Sequence, residues 1–131
     1  VYNTPSPSVL EGDYSIHVKQ NLDIDAMNEA IVYFKGKHDF SSFRGRGCQA
    51  KSPIKSVEFT SIESSTDKII FIFQAQSFLY QQIRIMVGTL LEIGLNNKDP
   101  SWIKELLALK NRVLAGPTMP PRGLILKEIT Y

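Results

Sequence analysis

One cysteine and two histidines are all the soft metal-ligand chemistry that these 131 residues carry. Cys48 alone builds neither a disulfide framework nor a cysteine-based zinc site within the chain, and it fits a reducing, cytoplasmic compartment. His17 and His38 are far apart in sequence with no other ligand spacing between them, so no metal is expected. Charge of one sign is also scarce. Fifteen Lys and Arg against thirteen Asp and Glu leave +2, which by itself argues for no nucleic-acid partner. No apolar run is long enough to span a bilayer, and Val1-Tyr-Asn-Thr-Pro has no basic segment leading into an apolar one. Neither a membrane partner nor a secretion signal is expected. The missing initiator Met points to a piece of a longer chain.

Catalytic motifs are absent too. Ser41, Ser42 and Cys48 lie near His38, but no glycine-flanked nucleophile turn accompanies them. Asp23 and Asp25 stand where a helix would start, and capping accounts for them. The residues alone name no nucleophile.

What is present is enough apolar content, 43%, to bury one core in one domain. The chain is organised around residues 74–94. Leu79, Ile83, Met86 or Val87, Leu90 and Ile93 recur at steps of three and four, the period of a helix burying one side. Gly94 would close it in the left-handed conformation, giving about 17 residues, roughly 25 Å at ~1.5 Å per residue. Arg84 sits off that stripe with few charged neighbours, and Gly88 follows one turn later. A mid-helix glycine costs ~1 kcal/mol relative to alanine, so something is expected to pack close beside the guanidinium. A half-buried Arg usually has a carboxylate or phosphate partner, while a solvated Arg on an outer face fits the same spacing. The residues leave both open.

In chain order, residues 1–12 with Pro5, Pro7 and Gly12 read as a connector, and residues 13–131 as the domain. Asp23 caps a helix over 24–35 whose buried side is Met27, Ala30, Ile31 and Phe34. His38 to Phe43 reads as a tight turn or short helix pinned by Phe40 and Phe43. Between Lys35 and Lys55 stand six basic residues and one acid, Asp39, so the loop with Arg44, Arg46 and Lys51 could meet phosphates or simply be solvated. Residues 54–62 alternate as a strand with Val57 and Phe59 inward, and 68–75 read as a central strand covered on both faces. A second short helix carries Trp102, Ile103, Leu106, Leu107 and Leu109, and 124–131 read as a last strand. The pattern is α+β: a mainly antiparallel sheet with helices packed on one face.

Gly36-Lys-His-Asp-Phe-Ser-Ser-Phe43, Cys48-Gln-Ala-Lys-Ser-Pro53, residues 77–94 and Leu114-Ala-Gly-Pro-Thr-Met-Pro-Pro-Arg-Gly-Leu-Ile-Leu126 resemble, in order, the C-terminal half of tRNA pseudouridine synthase A, the TruA family. The family's Arg-Thr-Asp-like motif with the catalytic Asp, and its base-stacking Tyr, would belong upstream of Val1. The resemblance implies half of the pseudouridine synthase fold and a parent enzyme that isomerises uridine in the tRNA anticodon stem-loop without metal or organic cofactor. It implies that this chain alone is inactive, that Arg84 faces the absent Asp, and that the partners are tRNA, the N-terminal half and a second copy in a homodimer. It implies an RNA-facing edge at His38 and Phe43, phosphate contacts at Arg44, Arg46 and Lys51, and a uridine pocket near Arg122, Gly123 and Leu124. The other reading of the residues is a free-standing RNA-binding or protein-interaction module.

Overall fold

A strand begins where the connector was expected to continue. In the computed structural model, which describes residues 8–17, 21–45 and 52–130, β1 (Ser8–His17) is an interior strand of the sheet, paired on both sides. Residues 8–12 are therefore part of the domain, and residues 1–7 of the expected connector lie outside the described residues. The strand's alternation is outweighed in the sequence by Pro5, Pro7 and Gly12. Tyr14 and Ile16 turn to the core side while Glu11, Asp13 and Ser15 alternate with them, and Gly12 interrupts the apolar half of the pattern. That glycine stands where a helix crosses the sheet: a Cβ there would run into the Ile83 side chain.

After β1 come α1 (Ile24–Ile31), β2 (Gly36–Asp39), β3 (Ile54–Ser64), β4 (Lys68–Ala75), α2 (Gln82–Gly94), α3 (Trp102–Leu109) and β5 (Leu124–Thr130). The sheet order is β2-β3-β4-β1-β5, and every pairing is antiparallel. β1 pairs with β4 from Leu10↔Ala75 to His17↔Lys68, and with β5 from Ser8↔Thr130 to Tyr14↔Leu124. The fold is α+β, a five-stranded antiparallel sheet with three helices, as the pattern predicted.

Asp23 caps α1 as expected, its Oδ1 accepting from the Ala26 amide at 3.0 Å, and a 3₁₀ turn carries the helix on to Phe34. His38 and Asp39 belong to β2, opposite Lys55 and Ile54, and only Ser41–Phe43 form the short helical turn. A β-bulge between Val57 and Phe59 shifts the register of β3, so Phe59 faces away from the helices and is 44% exposed. β4 buries Ile69, Phe71, Phe73 and Ala75 under the helices, but Ile70 and Ile72 on its other face are only half-buried.

α2 starts later than its apolar spacing predicts. Gln81 adopts φ 62°, which no helix continues through, and the Gln82 side chain turns back to accept from the Leu79 amide at 2.8 Å. It is also buried nearly all round: among its residues only Arg84, Leu91 and Glu92 are half-buried. Gly94 is not the left-handed residue at its end. Asn96, at φ 63°, takes that conformation, and the amides of Asn96 and Asn97 return to the carbonyls of Ile93 and Glu92 in a Schellman closure. Gly94 serves close approach, since a Cβ there would stand 2.7 Å from Met27 Sδ of α1.

Candidate active site

Residues 112–123, between α3 and β5, form a strap laid over α2 and fastened by side chains that flank Arg84 in the fold. Arg112 Nη2 donates to Thr118 Oγ1 at 3.0 Å. Thr89 Oγ1 donates to the Ile85 carbonyl at 2.9 Å and accepts from the Gly116 amide at 3.1 Å. Gly88 lets the strap lie directly on the helix, for a Cβ would overlap the Pro117 carbonyl oxygen and come within 2.9 Å of its carbon. The close neighbour that Gly88 called for is thus backbone.

Arg84 and the strap grip each other. The Met119 amide donates to the Arg84 carbonyl at 3.1 Å, and Arg84 Nε donates to the Met119 carbonyl at 2.6 Å. With Nε engaged, the four N–H groups on Nη1 and Nη2 have no hydrogen-bond partner among the described residues. No carboxylate among the described residues pairs with this guanidinium; the ion pairs described are Lys127 with Glu11 at 3.1 Å and Lys110 with Asp39 at 4.0 Å. Arg84 is half-buried and held, with its fork unspent.

Tyr14 adds a second grip, its hydroxyl donating to the Pro120 carbonyl at 2.5 Å. Burial raises the phenol's pKa, while the charges of Arg84 and Arg122 pull it the other way; the net direction is upward, so the hydroxyl remains a donor. Both guanidiniums act on this one ring. Gly123 lies against it too, with a Cβ position 2.9 Å from Tyr14 Cζ and 2.7 Å from the Ser15 carbonyl oxygen. Tyr14→Phe keeps the ring and removes the hydroxyl, so it should cost about 1 kcal/mol in thermal denaturation through the unpaired Pro120 carbonyl. An unchanged melting temperature would show that the bond contributes nothing.

The structure therefore gathers Arg84, Arg122 and Gly123 around Tyr14, with Leu124 half-buried opposite Tyr14 across the β1–β5 pairing. The other candidates lie elsewhere. His38 Nε2 is bonded to the Lys35 carbonyl at 2.9 Å, and its ring stands edge-on to Phe40. Phe43 is fully buried, 5.1 Å from the Phe34 ring centroid in an edge-on pair, so it holds its segment from the core side. It anchors the turn, as the sequence suggested. Phe43→Leu should cost about 1 to 2 kcal/mol in thermal denaturation, and an unchanged melting temperature would show that the ring does not anchor the turn.

Arg44 is half-buried close to Asp39. Burial would raise that carboxyl, but hydrogen bonds from Ser41 and the charges of Lys110 and Arg44 hold it below its ordinary value. The Gly45 amide then donates to the Tyr80 carbonyl at 2.7 Å, bringing the start of the basic segment to the foot of α2, one turn before Arg84. Arg46 and Lys51 lie outside the described residues. Tyr14, Arg112 and Thr118 were missed in the sequence; only the alternation of Tyr14 and Ile16 could have pointed to the first of them.

The family model for tRNA pseudouridine synthase matches residues 30–131, which include Arg84 and the whole strap. The chain belongs to the tRNA pseudouridine synthase family. It is 43% identical over 131 residues to tRNA pseudouridine synthase A of Ehrlichia canis and 44% identical over 131 residues to that of Ehrlichia chaffeensis. It is 39% identical over the same length to tRNA pseudouridine synthase A 2 of Clostridium perfringens. In each comparison all of this chain aligns with 54% of the relative, so the chain spans about half the length of these curated relatives. Those alignments include β1 and Tyr14, which the family model leaves out.

Proposed function

We propose that this chain is the C-terminal, RNA-binding half of an enzyme that converts uridine to pseudouridine in the tRNA anticodon stem-loop. In this reading Arg84 is the electrostatic partner of an Asp nucleophile carried by the other half of the protein. The observation that carries it is the state of Arg84: pinned through Nε, half-buried, and without a carboxylate among the described residues. A guanidinium so held offers a flat pair of donors at its Nη end, the geometry that a carboxylate accepts in two parallel hydrogen bonds.

The reaction is an isomerisation that conserves every atom. The N1–C1′ bond breaks, the base turns over, and a C5–C1′ bond forms; the proton leaves C5, and N1 ends as N–H. No oxidant or reductant enters. The base must leave its stack before any group reaches N1 or C1′. A carboxylate buried in such a pocket would tend to protonate, since desolvation disfavours its charge, and a guanidinium in hydrogen-bonding reach reverses that preference and fixes its orientation. Arg84 supplies this without moving, because the strap has already chosen its rotamer. Tyr14 holds the next carbonyl along, and Arg122, Gly123 and Leu124 border the same place.

The test is pseudouridine formation in tRNA by the full-length protein and by this chain alone. The full-length protein should convert an anticodon stem-loop uridine, and residues 1–131 alone should convert none. Turnover by the isolated chain would remove the need for a nucleophile from elsewhere. We further propose that the parent is a homodimer, as the family resemblance implies.

A further inference from the structure

A cavity of about 290 Å³ opens where β1 outruns β5. The β1–β5 register ends at Tyr14↔Leu124, whereas β1 continues against β4 to His17↔Lys68. Along residues 15–17 the place of a neighbouring strand is taken by the turn Pro121–Gly123, and the cavity lies between the two. Its volume is at the small end for ligand sites, which run from about 300 to 1,000 Å³, and suits a compact group rather than a whole nucleotide.

Its chemistry has one sign. Arg122 and His17 line it, both are exposed, and neither side chain makes a hydrogen bond or ion pair with any described residue. Ser15 adds a hydroxyl to the wall, and among the described residues no carboxylate borders the space. Two other cavities mix charges, one beside β3 setting Glu58 next to Lys37 and Lys55 and one near α1 holding Asp23, Asp25, Glu29 and Asp99 around Lys98. Gly123 keeps Arg122 tight against the strand, because any side chain there would meet the Ser15 carbonyl and the Tyr14 ring. The cavity is also coupled to Arg84 through the chain itself. Pro120, in its wall, takes the Tyr14 hydroxyl, and the preceding carbonyl, Met119, takes Arg84 Nε.

We propose that this cavity binds a single backbone phosphate of the RNA substrate, with Arg122 and His17 as its donors. The inference rests on the pseudouridine synthase reading and adds a contact to it. A phosphate held beside Arg122 fixes the register of the strand whose uridine is presented to Arg84, which grips the same end of the strap at Met119.

The experiment titrates NaCl against tRNA binding by the full-length protein. Each phosphate contact contributes close to one to the slope of log K against log salt. Arg122→Gln should reduce that slope by about one and weaken binding about five- to tenfold near 0.1 M salt; His17→Gln should weaken it by a smaller factor. Arg122→Lys, which keeps the charge, should retain the slope. A scan of neutral methylphosphonates along the anticodon stem-loop should find one position that weakens binding to the parent protein and not to Arg122→Gln. Wild-type slope and affinity in both Gln variants would overturn the phosphate site, as would a loss of turnover in Arg122→Gln with binding unchanged. Arg84→Ala separates this failure from that of the parent reading, for full turnover by that variant would end the synthase role of Arg84 whatever Arg122 does.

Discussion

Full-length protein carrying Arg84→Ala should make pseudouridine in tRNA at least about 100-fold more slowly than the parent, while binding tRNA with nearly the same affinity. Removing one partner of a buried, hydrogen-bonded charge pair costs about 3 to 5 kcal/mol, mostly because the remaining charge is stranded, and about 1.4 kcal/mol is a factor of ten in rate. Here the stranded group would be the nucleophilic carboxylate. Its cheapest escape is to take up a proton, and a protonated carboxyl is no nucleophile. The residual rate should therefore climb with pH further than in the parent, because losing the guanidinium raises the pKa of the acid it faced. Arg84→Lys should recover little. An ammonium cannot donate to the Met119 carbonyl and present two parallel N–H groups outward at once, as the guanidinium can when its Nε is engaged. Near-parental turnover in Arg84→Ala would sever the residue from the chemistry; a loss that tracks weakened tRNA binding would make it an RNA contact.

How much of this could be read from sequence depends on whether side chains or backbone make the contact. Ile83, Leu90 and Ile93 announce a helix because apolar side chains must face inward at its period, and the structure agrees. The ends of that helix are another matter. Leu79 continues the stripe into Gln81, whose positive φ no periodicity records, and Asn96 closes the helix in place of the more obvious Gly94. β1 was legible as alternation and was outweighed by Pro5, Pro7 and Gly12 nearby. Gly88 was legible for a firmer reason: a residue that costs stability in a helix has to be compensated, and close approach is the usual compensation. That the approaching group is the Pro117 carbonyl, and that Met119 and Pro120 supply the carbonyls gripped by Arg84 and Tyr14, was not legible. Every residue has a carbonyl, so its use leaves no mark in residue type. Phe43 was legible as the anchor of its turn, because a ring in so short a segment has only the core to hold it, and it is fully buried.

Gly88→Ala separates local preference from tertiary packing more sharply than any other single change. In an isolated helix, alanine at this position would be favoured by about 1 kcal/mol. In the fold the new methyl lands on the Pro117 carbonyl oxygen, and relief requires the strap to lift. Lifting is opposed on both sides of the contact, by Gly116 bonded to Thr89 before it and by Met119 bonded to Arg84 after it. The expected net cost is about 3 kcal/mol, which lowers the melting temperature by roughly 10 °C. Activity should fall as well, by about tenfold at temperatures where the variant is still folded, since the carbonyl that orients the guanidinium moves with the strap. Gly94→Ala is the matched control. Its nearest neighbour is the Met27 thioether, the far end of a flexible side chain, so most of the overlap can be relieved by rotation and the loss should be clearly smaller. A Gly88→Ala variant more stable than the parent would mean that the strap does not rest on α2. The fixed orientation of Arg84 would then have no mechanical basis.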